Sequence, residues 1–330
     1  MKRWRIDPVL EPLLLGDINE IIKMESIIKH YQVAHVGFSL SYPDYCQEVM
    51  TTLLGAYQGF ECDEQVASAA RTSFSLTLSE CGDEMRKPAG FREECRQDEE
   101  GQLIISGSLG DTQKAFLMAM TDMKSMLITG LDYQHSSLLV SPGIFSQKSA
   151  FGAIKATVDT SLMLLYAMRS AGNDTLLFHS STVVKEGKAY LFLGKSGTGK
   201  STHSGLWLSH IAGTRLLNDD NPVVYVAPEG TLMVSGSPWS GKTPCYKNEE
   251  YPIGAIVQLR QAPANSIRKQ TVIEAYVSLK SSVSGKAWEK NIADGQHHTI
   301  EKIIGGTRLY QLDCLPDADA ALLCCQTISQ

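Results

Sequence analysis

The chain has 330 residues, 43% of them hydrophobic and 20% charged, with a formal net charge of −6, which suits one large core or two ordinary ones. The acidic balance and the absence of any lysine or arginine cluster exclude a nucleic-acid footprint. No apolar run approaches the roughly 18 residues of a membrane span, and the opening MKRWRIDPVLEPLLLGDINE lacks a signal-peptide core, so no membrane contact and a cytoplasmic location are expected.

Taken in chain order, HVGFSLS (35–41) alternates as a strand, YCQEVMTTLLGAY (45–57) has helical spacing, and TSFSLTLS (72–79) alternates again. The polar stretch from Glu80 to Gln102 reads as a solvated excursion, after which LIISGS and KAFLMAM resume strand patterns. Met118, Met120, Met123 and Met126 are expected to fill a core. HSSLLVSPGIFSQ (135–147), with Pro142 and Gly143, reads as the junction between a small α+β domain (1–140) and a second domain (141–330).

Beyond it, AFGAIKATVDTSLMLLYAMRSAG (150–172) is expected to be a long helix. TLLFHSSTVV and KAYLFLG flank the turn KEGK as a hairpin, and the second strand runs into GKSGTGKST. KSTHSGLWLSHIA then has the makings of a helix and TRLL of another strand. This order is strand, glycine-rich loop, helix, strand.

Gly194, Gly199, Lys200 and Ser201 satisfy the pattern GxxxxGK[ST]. Glycines let backbone N–H groups converge on phosphate oxygens, and the helix N-terminus adds its positive dipole end. The candidate phosphate-binding residues are Gly194, Lys195, Ser196, Gly197, Thr198, Gly199, Lys200, Ser201 and Thr202. Lys200 is expected to reach the β- and γ-phosphates and Ser201 to offer its hydroxyl to Mg²⁺. The strand TRLLN ends in Asp219 and Asp220, which return beside the loop if the strands before the two motifs are neighbours. One carboxylate of such a pair holds Mg²⁺ and the other takes a proton from an attacking hydroxyl. Asp220 with Ser201 is the candidate metal set, while the identity of the base stays open between Asp219 and Asp220.

FHSSTVV, GKSGTGKS and LLNDDNP, in this order and spacing, resemble the C-terminal catalytic domain of HPr kinase/phosphorylase. The resemblance covers about residues 175–245 and is to the HPr kinase-related proteins, not to HPr kinase itself, whose downstream signature segment is not found here. It implies an α/β, phosphoenolpyruvate carboxykinase-like P-loop kinase domain with a mixed β-sheet core. It also implies a nucleotide on Gly197, Gly199, Lys200 and Ser201, an acid or base at Asp219 or Asp220, and His179 near the phosphates.

SGSPWSGKTPCY (235–246) repeats the small-residue and lysine chemistry. Lys242 is a candidate clamp for the transferring phosphate or an anionic acceptor, with Arg260 and Arg268 as weaker candidates, and Trp239 is a candidate cover for a substrate face. His297 and His298 in DGQHHTIE read as a solvated loop, and DADAALLCCQTI as a terminal amphipathic helix. Eight cysteines without CxxC pairs read as reduced thiols, and zinc is not indicated.

Two function classes follow. The first is a Mg²⁺-dependent kinase carrying phosphoryl from ATP, another nucleotide or pyrophosphate to a hydroxyl of a protein, peptide or small metabolite. The second is a nucleotide-regulated interaction protein that binds without turnover. A homo-oligomer is compatible with either.

Overall fold

The computed structural model describes residues 25–82, 85–99, 101–121, 123–241, 243–285 and 289–329. It is an α/β protein of two compact units. Among the described residues, one comprises 25–32 together with 37–165, the other 33–36 together with residues from 166 on. The division therefore falls inside a helix, not at residue 140 where the Pro-Gly stretch suggested it.

In the first unit β1 (Ser26–Val33), β2 (Val36–Pro43), β3 (Thr72–Glu80), β4 (Phe91–Glu99), β5 (Gln102–Leu109), β6 (Gln113–Met120), β7 (Met123–Gly130) and β8 (His135–Val140) form one sheet in the order β1-β2-β3-β8-β7-β6-β5-β4. The short helices α1 (Gln47–Leu53) and α2 (Glu64–Ala69) interrupt it, and α3 (Phe151–Ser170) follows. Phe38 stacks on Phe74 with ring centroids 5.1 Å apart, and Met118, Met120, Met123 and Met126 are buried as expected.

Three local expectations fail here for identifiable reasons. The polar stretch 80–102 contains β4, whose ladder with β5 runs from Phe91↔Leu109 to Glu99↔Gln102. β4 ends the sheet order, and its charged, mostly exposed side chains are what an edge strand carries to block further pairing. HSSLLV, taken as part of a junction, is β8, parallel to β3 and burying alternate residues. The expected helix over 45–57 is α1 continued by a 3₁₀ segment, Leu54–Phe60.

The second unit contains β9 (Thr175–Leu177), β10 (Ser180–Lys185), β11 (Lys188–Leu193), α4 (Lys200–His210), β12 (Arg215–Asn218), β13 (Val223–Val226), β14 (Leu232–Ser235), β15 (Glu250–Gln261), β16 (Ser266–Lys269), α5 (Val272–Ser282), α6 (Lys290–Gly306), β17 (Leu309–Cys314) and α7 (Ala318–Ile328). Its mixed sheet runs β12-β10-β11-β15-β14-β13-β9, with β17 also on β15 and β16 on β17. β11, β15 and β17 are mutually parallel, whereas β10 is antiparallel to both β11 and β12.

KAYLFL is almost continuously apolar because both faces of β11 are covered. Leu191 and Leu193 pack with Leu279, Ile300 and Ile303 of α5 and α6. Tyr190 and Phe192 pack with Trp207 of α4 and with Ala321 and Cys324 of α7. Helices on both faces leave the ends of the strands as the open ground for a site. DGQHHTIE lies within α6, not in a loop: His297 is exposed, pairs with Glu301 one turn on at 3.4 Å, and meets the Tyr276 hydroxyl at 3.1 Å. No helix among the described residues is long and apolar enough to cross a membrane.

Candidate functional site

The ladder directions decide what meets at one edge. β11 ends at Leu193 opposite Ser180, where β10 begins, and β12 ends at Asn218 opposite Thr182. The C-terminal ends of β11 and β12 and the N-terminal end of β10 therefore share one edge. β10 lies between β11 and β12, so the two strands are not the neighbours the sequence reading required. The interposed strand brings the residue before it, His179, between the glycine loop and the aspartates.

The loop occupies residues 194–199, between β11 and α4. Gly197 and Gly199 have φ of 78° and 105°, a region that strains any L side chain. A Cβ at Gly194 would stand 3.1 Å from the Thr198 side chain. The 11-residue α4 begins at Lys200 with no side-chain cap on its first turn, so its N–H groups and dipole face the loop. Lys195, Ser196, Ser201 and Thr202 are exposed there.

Lys200 is only 8% exposed. Its Nζ donates to the Gly194 carbonyl at 2.9 Å and to His179 Nε2 at 3.0 Å. Burial pushes its pKa down, and the charges of Asp220 and Asp219 oppose that shift. With Nε2 accepting from an ammonium, the proton of a neutral His179 sits on Nδ1, which lies 2.9 Å from Asp220 Oδ1. Asp220, His179 and Lys200 thus form one chain of hydrogen bonds.

Asn218, the last residue of β12, builds the corner under the carboxylates. Its Oδ1 accepts from the backbone N–H groups of Asp220 and Asn221, both at 2.8 Å. Its Nδ2 donates to Ser237 Oγ at 3.1 Å and to the Trp239 carbonyl at 3.2 Å. Asp220 Oδ2 accepts from Asn221 Nδ2 at 2.8 Å.

Asp219 is 5% exposed, and its Oδ1 accepts from Ser181 Oγ at 2.7 Å, with Ser204 Oγ 2.6 Å farther along. Its Oδ2 is buried and has no hydrogen-bond partner among the described residues. A buried carboxylate oxygen without a donor is costly unless something positive or protic meets it. The only sequence signal for Ser181 and Ser204 is their position: one in the hydroxyl-rich start of the strand before the KEGK turn, the other one turn into the helix after the loop.

The remaining candidates separate. Lys242 lies outside the described residues. Its neighbour Gly241 is close to the aspartates, since a Cβ there would stand 3.1 Å from the Asp219 carbonyl oxygen and 3.3 Å from Asp220 Cβ. Trp239 is 3% exposed and packs edge-on against Tyr166 with centroids 5.2 Å apart, so it is core and covers no substrate face. Arg268 is held by Glu274 at 2.9 and 2.6 Å, and Arg260 by Asp313 at 2.7 and 2.6 Å. Both guanidiniums are paired with carboxylates in this structure.

Among the described residues no three His, Cys, Asp or Glu side chains are grouped to hold a metal ion. A cation here would draw on oxygen: the orphaned Asp219 Oδ2 and the exposed Ser201 hydroxyl are the protein donors whose chemistry fits a hard divalent ion.

No family profile matches the chain, and no curated protein sequence matches it. Among solved structures, it is similar to the Hpr(Ser) kinase/phosphatase from Coxiella burnetii, at 15% identity over 46% of this chain and 93% of that one, with a TM-score of 0.27. Likeness at that level carries no argument about activity.

Proposed function

We propose that this protein is a Mg²⁺-dependent kinase that moves the terminal phosphoryl group of a nucleotide onto a hydroxyl group. The observation that carries the reading is the Asp220–His179–Lys200 hydrogen-bond chain beside the unpartnered Asp219 oxygen, at the sheet edge where a GxxxxGKS loop opens. A loop alone binds phosphate; an acid–base group and an unmatched carboxylate beside it are what transfer needs.

The loop N–H groups and the α4 N-terminus hold the donor's phosphates, and Lys200 leaves its loop carbonyl and His179 to pair with them. That movement frees His179 Nε2 to accept the proton of the attacking hydroxyl, while Asp220 keeps the ring oriented and stabilises the resulting imidazolium. The acceptor oxygen bonds to phosphorus as the bond to the bridging oxygen breaks, and the nucleoside diphosphate leaves. Asp219 and Ser201 are the residues that would hold Mg²⁺, which supplies positive charge against the phosphate oxygens. This differs from the expected duties: the metal candidate becomes Asp219 in place of Asp220, and the base becomes His179, oriented by Asp220, in place of either carboxylate.

The test is incubation with γ-labelled ATP and Mg²⁺ alongside serine-containing peptides, proteins and small hydroxylated metabolites, following labelled product and released phosphate. Labelled product that disappears in His179→Ala and Asp219→Asn is the expected result. ATP binding by calorimetry with no product in any reaction would transfer the protein to the second class, a nucleotide-regulated interaction protein. ATP affinity unchanged by Lys200→Ala would remove the loop from the phosphates altogether.

A further inference from the structure

On the side of the loop away from Asp219 and Asp220 there is an open cavity of about 590 Å³, lined by loop residues 195–198, by Gln258, Arg260 and Gln261 at the end of β15, and by Gln311 within β17. Its volume falls within the roughly 300–1,000 Å³ of small-molecule sites, and its place is the crevice at the carboxyl ends of three parallel strands. Leu193, the last residue of β11, is in register with Gln258, and Gln258 with Gln311, so two amides stand side by side next to the root of the loop.

The chemistry of the wall is specific. Beyond the loop the lining carries one charge, Arg260, already matched by the two oxygens of Asp313. The loop adds the exposed Lys195 on the phosphate side, while the wall formed by β15 and β17 offers amides: Gln258 and Gln261, with Gln311 already engaged by Arg268 at 3.2 Å and Asp313 at 2.9 Å. Gln258 Oε1 is buried and has no partner among the described residues. Its Nε2 donates to the Leu259 carbonyl at 3.2 Å, so turning the amide over would set oxygen against oxygen. Enclosed in the free protein, that oxygen is an unmatched acceptor that an N–H or O–H donor reaches when the Gln258 side chain turns toward the cavity. Gln261 Nε2 lies 3.3 Å from the Gly197 carbonyl and 3.4 Å from that of Thr198, joining this wall to the loop. A ligand with its phosphates on the loop continues directly into the cavity.

We propose that the cavity holds the nucleoside of the donor, with Gln258 Oε1 accepting a hydrogen bond from it, so that the protein selects a nucleotide over bare polyphosphate. This rests on the reading of the loop as a phosphate site, and the experiment separates the two. Calorimetry with Mg²⁺ and either ATP or tripolyphosphate is run on the wild type, Lys200→Ala, Gln258→Leu and Gln261→Ala. The wild type is expected to bind ATP at least 10-fold more tightly than tripolyphosphate. Gln258→Leu, close to isosteric, is expected to erase most of that ratio with tripolyphosphate affinity held within twofold. Gln261→Ala, at the exposed rim where the fold tolerates truncation, is expected to lower the same ratio at least threefold.

Equal wild-type affinity for the two probes, both weakened by Lys200→Ala, overturns the cavity proposal and keeps the loop. So does an undiminished ATP preference in the glutamine variants. Tripolyphosphate affinity unmoved by Lys200→Ala, or binding of neither probe, removes the loop reading and the cavity proposal with it.

Discussion

In the first unit the buried polar side chains among the described residues are serines and threonines, Thr72, Ser106, Ser125, Thr129, Ser136, Thr157 and Ser161, whereas the second unit buries Lys200, His203, Asn218, Asp219 and Asn221. A hydroxyl in a core costs little once it finds a nearby carbonyl, as Ser161 does with Thr157 at 2.8 Å. A lysine or carboxylate out of water costs several kcal/mol unless its partners are built around it. The second unit bears that cost in one place, the sheet edge that carries the loop, and one carboxylate oxygen there is left unmatched. The contrast teaches that burying hydroxyls needs only local partners, whereas burying charge gathers a whole polar network at one edge.

Replacing the unmatched group should break this contrast most sharply. Asp219→Asn is expected to lower phosphoryl transfer by about 10²–10⁴-fold, with thermal unfolding unchanged or raised because a buried charge is gone. Transfer at the wild-type rate in a radiolabel assay would reduce Asp219 to a structural residue. The corresponding change in the first unit is Phe38→Ala, which removes a ring that is 1% exposed and stacked on both Tyr31 and Phe74. It should cost that unit about 3–5 kcal/mol, read from its urea transition, and leave Mg²⁺-ATP affinity per folded molecule as it was.

A smaller, pH-dependent difference comes from His203. It is 3% exposed, accepts from Trp207 Nε1 at 3.1 Å, and is pushed by burial from its ordinary value down to about 4. The folded state keeps this imidazole neutral while the unfolded chain takes up a proton as pH falls through about 6.5. Its contribution is therefore complete above about pH 6.5 and lost progressively toward pH 4, amounting to about 3 kcal/mol at most. Thermal melts of the wild type and His203→Met across that window should differ in slope, and parallel curves would show that another group controls the acid limb. The smallest effect belongs to α5, which starts with a reciprocal cap: Thr271 Oγ1 accepts from the Glu274 N–H, and Glu274 accepts from the Thr271 N–H. Thr271→Ala is expected to cost about 1 kcal/mol in urea unfolding, with no change in nucleotide binding.

Legibility followed the distance along the chain over which each feature is made. The strand entering the loop, the helix leaving it and the KEGK turn are settled within a few residues, whereas the run TLLFHSSTVV before that turn is two strands, β9 on β13 and β10 on β11, broken at Phe178 and His179. β4 was hidden because an edge strand has no apolar face to alternate, and the histidines of α6 because a polar helix surface has the composition of a loop. Trp239 read as a substrate cover because sequence does not tell a ring buried on Tyr166 from one left bare.

The sequence by itself determined the backbone chemistry of the loop: glycines where φ turns positive, a lysine at the first turn of the following helix, and a strand to anchor both. Tertiary structure decided the rest. Inserting β10 between β11 and β12 set His179 between Lys200 and Asp220 and stationed Ser181 on Asp219, and pairing β15 with β11 and β17 gathered three glutamines on the loop's other flank. The physical reason is that a strand dictates which of its faces each side chain takes, a property of period two along the chain. Which strand becomes its neighbour depends on the burial of both faces by helices distant in sequence, and only that pairing fixes which polar groups are left to meet a ligand.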